Sequence, residues 1–299
     1  FDRQHNIVKS STSNISLERI YYKKIYTHPH KDYACIFVHY DKDSIISQDC
    51  LYHIQKLGEY CDIYFVSSSE KLASKFEEID KIKPLCKQVL IRENSGYDFG
   101  CWSHVIRDNY DELCGYEGVL LCNDSNWGPM NDFSDTFSKI KRYSSDADFF
   151  GLTSSITPSW HLQSFFILYT QHVFCSSYFK QHWFNIGVLR SKYEIVVNYE
   201  VNWSGRLMRL GFKGMSIYGD TLSLAENHTH VHWDVLLKSN YPYLKKELLR
   251  DNPLMINLDH LPEIISNYNE NWSHHIVEYL RRYSQKTCKL AEILSESSS

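Results

Sequence analysis

The apolar run Val119-Leu120-Leu121-Cys122 stops abruptly at Asn123-Asp124-Ser125-Asn126, and Trp127-Gly128-Pro129 follows at once. Asn, Asp, Ser, Gly and Pro each favour turns for local reasons, so a plain turn is one reading. The second reading is chemical. A carboxylate at a strand end supplies a hard oxygen ligand for Mg²⁺ or Mn²⁺, and such a cation neutralises the charge that gathers on a departing diphosphate. Asn123 and Ser125 beside it suit ribose, phosphate or metal-bound water. Only one acid is present, where two would make a firmer cation site.

Three further stretches carry chemistry-bearing residues. In 92–102, RENSGYDFGCW, Gly96 and Gly100 permit tight backbone geometry beside a ligand, while Asn94 and Asp98 offer hydrogen-bonding groups. A helix opening there would turn free N–H groups toward phosphate, although an ordinary strand-to-helix turn has the same composition. In 198–213, Glu200 stands near the start of a helix that Gly211 ends. The helix dipole alone accounts for an acid at that place, and a general base projected into a cleft accounts for it equally. In 225–234, His228, His230 and His232 alternate. On an extended segment they would point one way, toward a metal or phosphate. No cysteine or acid completes a familiar tetrahedral zinc spacing, so the expectation is one histidine on a cation or diphosphate and the others structural.

These groups need a scaffold. Short apolar runs at 34–40, 62–68, 87–94 and 119–122 read as strands, and the segments around Cys50-Ile54-Leu57, at 70–79 and at 99–113, read as helices between them. Strands that are apolar through their whole length, alternating with helices, imply parallel βαβ units covered on both faces. The fold class is α/β: a Rossmann-like, mixed but mostly parallel sheet flanked by helices. In such sheets ligands collect at the carboxyl ends of strands, where 94–98 and 123–125 fall. Further on, 148–155 and 161–170 read as strands with an antiparallel or mixed edge, 172–183 and 197–210 as helices, and 212–218 as the strand that closes the core. The expected organisation is an N-terminal arm over 1–30, a catalytic domain over 31–232 and a C-terminal helical extension over 233–299 packed on the same domain.

Composition narrows the function classes. The 32 Lys and Arg against 36 Asp and Glu give a net charge of -4 with no basic stripe, which argues against a nucleic acid held by counterion release. Lys245, Lys246, Arg250, Arg281 and Arg282 read as solvated helix faces. The nine cysteines are odd in number, contain no Cys-x-x-Cys and sit partly in apolar runs, a pattern of a reducing compartment. No apolar stretch approaches the roughly 20 residues of a membrane helix, and no signal segment opens the chain, so the expected location is cytoplasmic. The start at Phe1 without a Met points to an excised domain.

Taken together, NSGYDFGCW, LLCNDSNWGP, HLQSFFILY, YEVNWSGRLMRLGF and HTHVHWDVLLKSNYPYLKKELLRDNP, in that order, resemble the rhamnan synthesis protein F family, nucleotide-sugar glycosyltransferases of GT-A fold. The resemblance spans about 34–253. It implies transfer of rhamnose or a similar deoxy or furanose sugar from a nucleoside diphosphate donor, dTDP- or UDP-linked, to a growing bacterial surface polysaccharide. The acceptor would be an oligosaccharide or lipid-linked glycan, in keeping with peripheral attachment at the inner membrane face and with additional transferase domains. Asn123-Asp124-Ser125 stands where such enzymes carry Asp-x-Asp, with one acid missing. Glu200 looks like the carboxylate base of inverting members, next to Val201 where a second acid is usual. His230 or His232 looks like the C-terminal histidine that meets a Mn²⁺ or Mg²⁺ cofactor. The implied donor site comprises His39, Asn94, Gly96, Asp98, Asn123, Asp124 and Ser125, with Trp127 and Gln163 on the acceptor side and Asp124 and His230 on the metal. Two other readings stand beside this one. One is a nucleotidyltransferase, which would want a basic glycine-rich loop early in the chain. The other is a non-catalytic carbohydrate-binding or scaffold domain of a larger polymerase.

Overall fold

The computed structural model describes residues 19–27, 29–186, 196–219, 227–268, 271–283 and 294. The expectations for 1–18, for Cys288 and for the C-terminal serines lie outside them. Four strands form the parallel centre: β2 (Tyr33–His39), β3 (Cys61–Ser67), β4 (Gln88–Arg92) and β5 (Gly118–Asn123). Ahead of them runs β1 (Ile20–Ile25), and after them come β6 (Asn126–Trp127), β7 (Phe149–Gly151), β8 (Ser154–Ser155), β9 (His161–Leu162), β10 (Phe166–Thr170), β11 (Gly214–Ser216) and β12 (Leu244–Lys245). The main sheet has eight strands in the order β1-β4-β3-β2-β5-β10-β7-β11. β2 pairs in parallel with β3 on one side and β5 on the other, and β3 with β4. β10 then runs antiparallel to both β5 and β7, giving the mixed edge the alternation suggested.

Alternate residues of each central strand feed two separate cores, as a strand covered on both faces requires. Cys35 and Phe37 face α1 (Gln48–Leu57) and α2 (Phe76–Ile82), whose Ile54, Leu57, Ile79 and Ile82 are fully buried. Ala34, Ile36 and Val38 face α3 (Tyr97–Leu113), through Phe99, Trp102, Val105 and Ile106. The Trp102 indole N–H donates to the Ile36 and Cys122 carbonyls at 3.1 and 3.3 Å, so one side chain ties the helix across two strands.

Several expectations change. Ile20–Ile25 is not loose arm but an edge strand antiparallel to β4, and its mostly exposed side chains explain why no apolar pattern announced it. The 161–170 run is two strands: β9 pairs only with β8, while β10 joins the main sheet. Beyond α4 (Ser134–Arg142), the 172–183 helix is two, α5 (Gln171–Phe174) and α6 (Ser177–Phe184), broken where the Ser176 hydroxyl accepts the Phe179 N–H as an N-cap. At 197–210 a π-helical turn, Val196–Val201, precedes α7 (Asn202–Arg209).

The C-terminal segment packs on the same body through its own apolar cluster. α9 (Trp233–Lys238), α10 (Lys246–Arg250), α11 (Leu261–Ile265) and α12 (Trp272–Tyr283) bury Leu237, Leu248, Leu261, Trp272 and Ile276 around Trp127. A short ladder fastens the segment down, with Leu244 of β12 opposite Trp127 and Lys245 opposite Asn126.

Candidate active site

The chain winds from β2 through β3 to β4 in one direction and then returns to place β5 on the other side of β2. Where strand order reverses like this, the loops after the two neighbouring strands diverge and leave a crevice at their carboxyl ends. His39-Tyr40-Asp41 follows β2 and Asp124-Ser125 follows β5, and all five line one cleft of about 310 Å³.

Asp124 is fixed between the two strand ends. Its N–H donates to the Val38 carbonyl at 3.1 Å, and its carboxylate accepts the Tyr40 N–H at 3.0 Å. Burial pushes its carboxyl up to about 6, aided by the charges of Asp49 and Asp41 and opposed by Lys246 and the Tyr40 bond. Asn123 organises the turn, because its side-chain oxygen accepts the Ser125 N–H at 3.2 Å and hydroxyl at 2.6 Å. Its amide donates to Asp98 at 2.8 Å, so the end of β5 is tied to the first turn of α3.

The turn before α3 depends on two glycines. Gly96 sits at φ 79°, in the left-handed region, as the N-cap of the helix. At Gly100 a β-carbon would lie 2.2 Å from the Ser95 carbonyl oxygen. The fully buried Arg92 holds the same carbonyl with a 3.1 Å bond. Burial again leads in pushing Asp98 up to about 6, followed by the charge of Asp124; Asn123 and Lys245 oppose it, and Glu200 adds to it. Asp98 thus stands within electrostatic reach of both Asp124 and Glu200.

Glu200 is half-buried in the π-helical turn, a distortion frequent at functional sites. Its carboxylate accepts the Ser164 N–H at 2.9 Å. It does not line the cleft of Asp124 but a separate hollow of about 10 Å³, with Phe99, Trp102, Ser164, Tyr199 and Trp203. The two carboxylates therefore line separate hollows, and Asp98 feels the charge of both.

Other expected residues are placed differently. Trp127 is fully buried, edge-on to Tyr279 at 5.3 Å, so it packs the C-terminal helices and has no face for an acceptor sugar. Asn94 is exposed and absent from the cleft lining; its N–H donates to Glu70. Gln163 lies between Thr153, whose hydroxyl it accepts at 2.6 Å, and Asn227, to which it donates at 3.3 Å. His39 does line the cleft, but its ring nitrogen meets the Ser67 hydroxyl at 3.0 Å and burial lowers it to about 4, so it is neutral at pH 7.

The histidine segment is not extended. His228–Val231 forms a short helix, α8, capped by Asn227, and a helix throws alternate residues to different sides. His228 and His232 come together, ring centroids 5.7 Å apart, while His230 is 2% exposed and faces Glu247 at 3.5 Å. Glu247 lines the cleft and His230 does not, so His230 stands behind it and does not share a ligand position with Asp124. Among the described residues, no three His, Cys, Asp or Glu side chains are grouped to hold a metal ion.

Sequence reasoning missed the cationic half of the cleft. Lys245, Lys246 and Arg250 line it from β12 and α10, and His275, Tyr279, Arg282 and Tyr283 from α12. Arg282 bonds Asp41 and Asp43 at 2.7 Å each, and the Tyr283 hydroxyl donates to Asp41 at 2.9 Å. Burial alone would push Asp41 up, but Arg282 and Tyr283 hold it below the usual carboxylate range. Lys246, 8% exposed, pairs with the equally buried Asp49 at 2.9 Å. The doublets Lys245-Lys246 and Arg281-Arg282, with Arg250, were the available signal, and they are indistinguishable in sequence from a solvated face.

An α/β protein with a charged crevice at its topological switch point is the class that fold and site define. Residues 35–295 match the family described as Rhamnan synthesis protein F, and the chain belongs to that family. It is 26% identical over 141 residues to the uncharacterized protein y4gN of Sinorhizobium fredii, covering 46% of this chain and 37% of that one. It is 26% identical over 203 residues to the virulence protein VirA of Vibrio anguillarum, covering 56% of this chain and 64% of that one. The chain thus spans less than two thirds of these relatives' length. Among solved structures, the glycosyltransferase GlyE of Streptococcus pneumoniae aligns with a TM-score of 0.40 and 12% identity, over 86% of this chain and 66% of that one. No helix among the described residues is long and apolar enough to cross a membrane.

Proposed function

We propose that the protein is an inverting glycosyltransferase of polysaccharide synthesis, taking a sugar, rhamnose or a related deoxy or furanose sugar, from a dTDP- or UDP-linked donor to a glycan acceptor. The observation that carries this reading is the crevice between β2 and β5, where His39, Asp124 and Ser125 meet Lys245, Lys246, Arg250 and Arg282. Family membership in rhamnan synthesis supports the same direction.

The donor diphosphate lies in the cleft and its sugar extends toward Asp98. An acceptor hydroxyl brought up to Glu200 attacks the anomeric carbon from the face opposite the diphosphate. The new C–O bond forms as the bond to the diphosphate oxygen breaks, the proton passes to Glu200, and the nucleoside diphosphate leaves with the bonding pair. One displacement inverts the anomeric centre. Glu200, anchored by the Ser164 N–H, is held for that role by a backbone bond that leaves its second oxygen for the acceptor.

The test is a panel of nucleoside diphosphate sugars scored by release of nucleoside diphosphate, with binding followed by thermal shift. Glu200→Gln is expected to retain nucleotide binding and to lose transfer by about a hundredfold or more, the usual weight of a general base. Unchanged turnover would remove Glu200 from the mechanism, and binding of glycan but of no nucleotide would favour a scaffold domain.

A further inference from the structure

Resting on the reading of this cleft as the donor site, we propose that the donor diphosphate is neutralised by Lys245, Lys246, Arg250 and Arg282 in place of a divalent cation. The place beside Asp124 where a cation would sit already feels a fixed positive charge. Lys246 is buried, stays protonated between the charges of Asp49 and Asp124, and pulls the Asp124 carboxyl down against its burial. A divalent ion brought to Asp124 would be repelled by that ammonium in a medium that screens poorly.

Of the four other acids that line the cleft, Asp41, Asp49, Glu247 and Glu278, the first two are already taken up by cations. Asp41 is held by Arg282 and Tyr283, Asp49 by Lys246, and His230 sits behind Glu247. The cationic groups are disposed to take phosphate. Lys245 donates to the Ser125 hydroxyl at 3.2 Å and lies over the Phe165 ring, which places its ammonium next to the Asp124 turn. Arg282 engages its two carboxylates through Nε and Nη2, and a guanidinium carries five N–H donors, enough to add a phosphate oxygen. Arg250 brings a second guanidinium to the same wall; its Nε and Nη2 donate to Asp251 at 2.8 and 2.6 Å and its Nη1 to the Tyr279 hydroxyl at 3.2 Å. The wall is built by one short stretch, 245–250, and one helix, so it arrives as a unit with the β6–β12 ladder.

Calorimetric titration of the full chain with UDP, dTDP and inorganic pyrophosphate, first in EDTA and then with Mn²⁺ restored, decides the matter. Binding is expected in EDTA, and Mn²⁺ is expected to leave its affinity essentially unchanged. Lys245→Ala and Arg250→Ala are each expected to weaken that EDTA binding by about tenfold or more, the usual loss of a charge-assisted hydrogen bond, with Lys245→Arg restoring most of it. Both side chains are half-exposed, and matching thermal melts establish that the variants fold. Binding that appears only with Mn²⁺ would overturn the cation replacement while leaving the donor site in place. Wild-type affinity of both alanine variants in EDTA would overturn it as well. No binding under either condition would overturn the donor reading of the cleft and this proposal with it.

Discussion

At the scale of single residues, the site is governed by carboxyls that burial disfavours as anions. Asp98 and Asp124 both rise to about 6 in the folded chain. A folded carboxyl raised above its unfolded value binds more protons than the unfolded chain between the two, so its contribution to stability is lost as pH rises through that window, from about 4 to about 6. Asp98→Asn, which can still accept the Asn123 amide bond, is therefore expected to gain in melting temperature over the wild type as pH is raised from 4 to 7. A difference that stays constant with pH would show that Asp98 ionises freely. Asp124 was legible because a lone acid after a buried run is conspicuous. The role given to Trp127 was not sound: a tryptophan next to a polar turn looks the same in sequence whether its face is open or, as here, roofed by α12.

At the scale of elements, the parallel strands were readable because burial on both faces leaves a continuous apolar run. β1 was not, because its exposed edge carries Tyr and Lys with no alternation to read. The break between α5 and α6, the π-helical turn at Glu200 and the coil-up of the histidine segment into α8 escaped for a common reason: local composition there fits helix and strand alike, and tertiary packing decides. The β4–α3 turn is the element most sensitive to a single methyl group. Gly100→Ala drives a β-carbon onto the Ser95 carbonyl and is expected to destabilise by about 1–3 kcal/mol, as overpacking does, read from the denaturant midpoint. Because that turn carries Asp98, nucleotide binding is expected to weaken with it.

At the scale of the whole molecule, the C-terminal segment is part of the site and not only its cover. A chain ended at 232 would lack Lys245, Lys246, Arg250 and all of α12, and would expose Trp127 to water. Such a chain is expected to bind an apolar dye strongly and to give no thermal shift with UDP or dTDP. A milder cut of the same connection is Arg282→Ala, which leaves Asp41 and Asp43 without their guanidinium. Its expected cost is about 1–3 kcal/mol, the range for a partly buried charge stripped of its partner, and the loss is expected to shrink at high salt. The sequence could not announce this wall, since the bond from Arg282 to Asp41 joins positions 241 residues apart. That separation has a bearing on biosynthesis. On the ribosome, the β2 loop must wait for the 241 residues between it and Arg282 to emerge before that guanidinium can reach it, so a nascent chain stopped short of α12 has no finished mouth to its cleft.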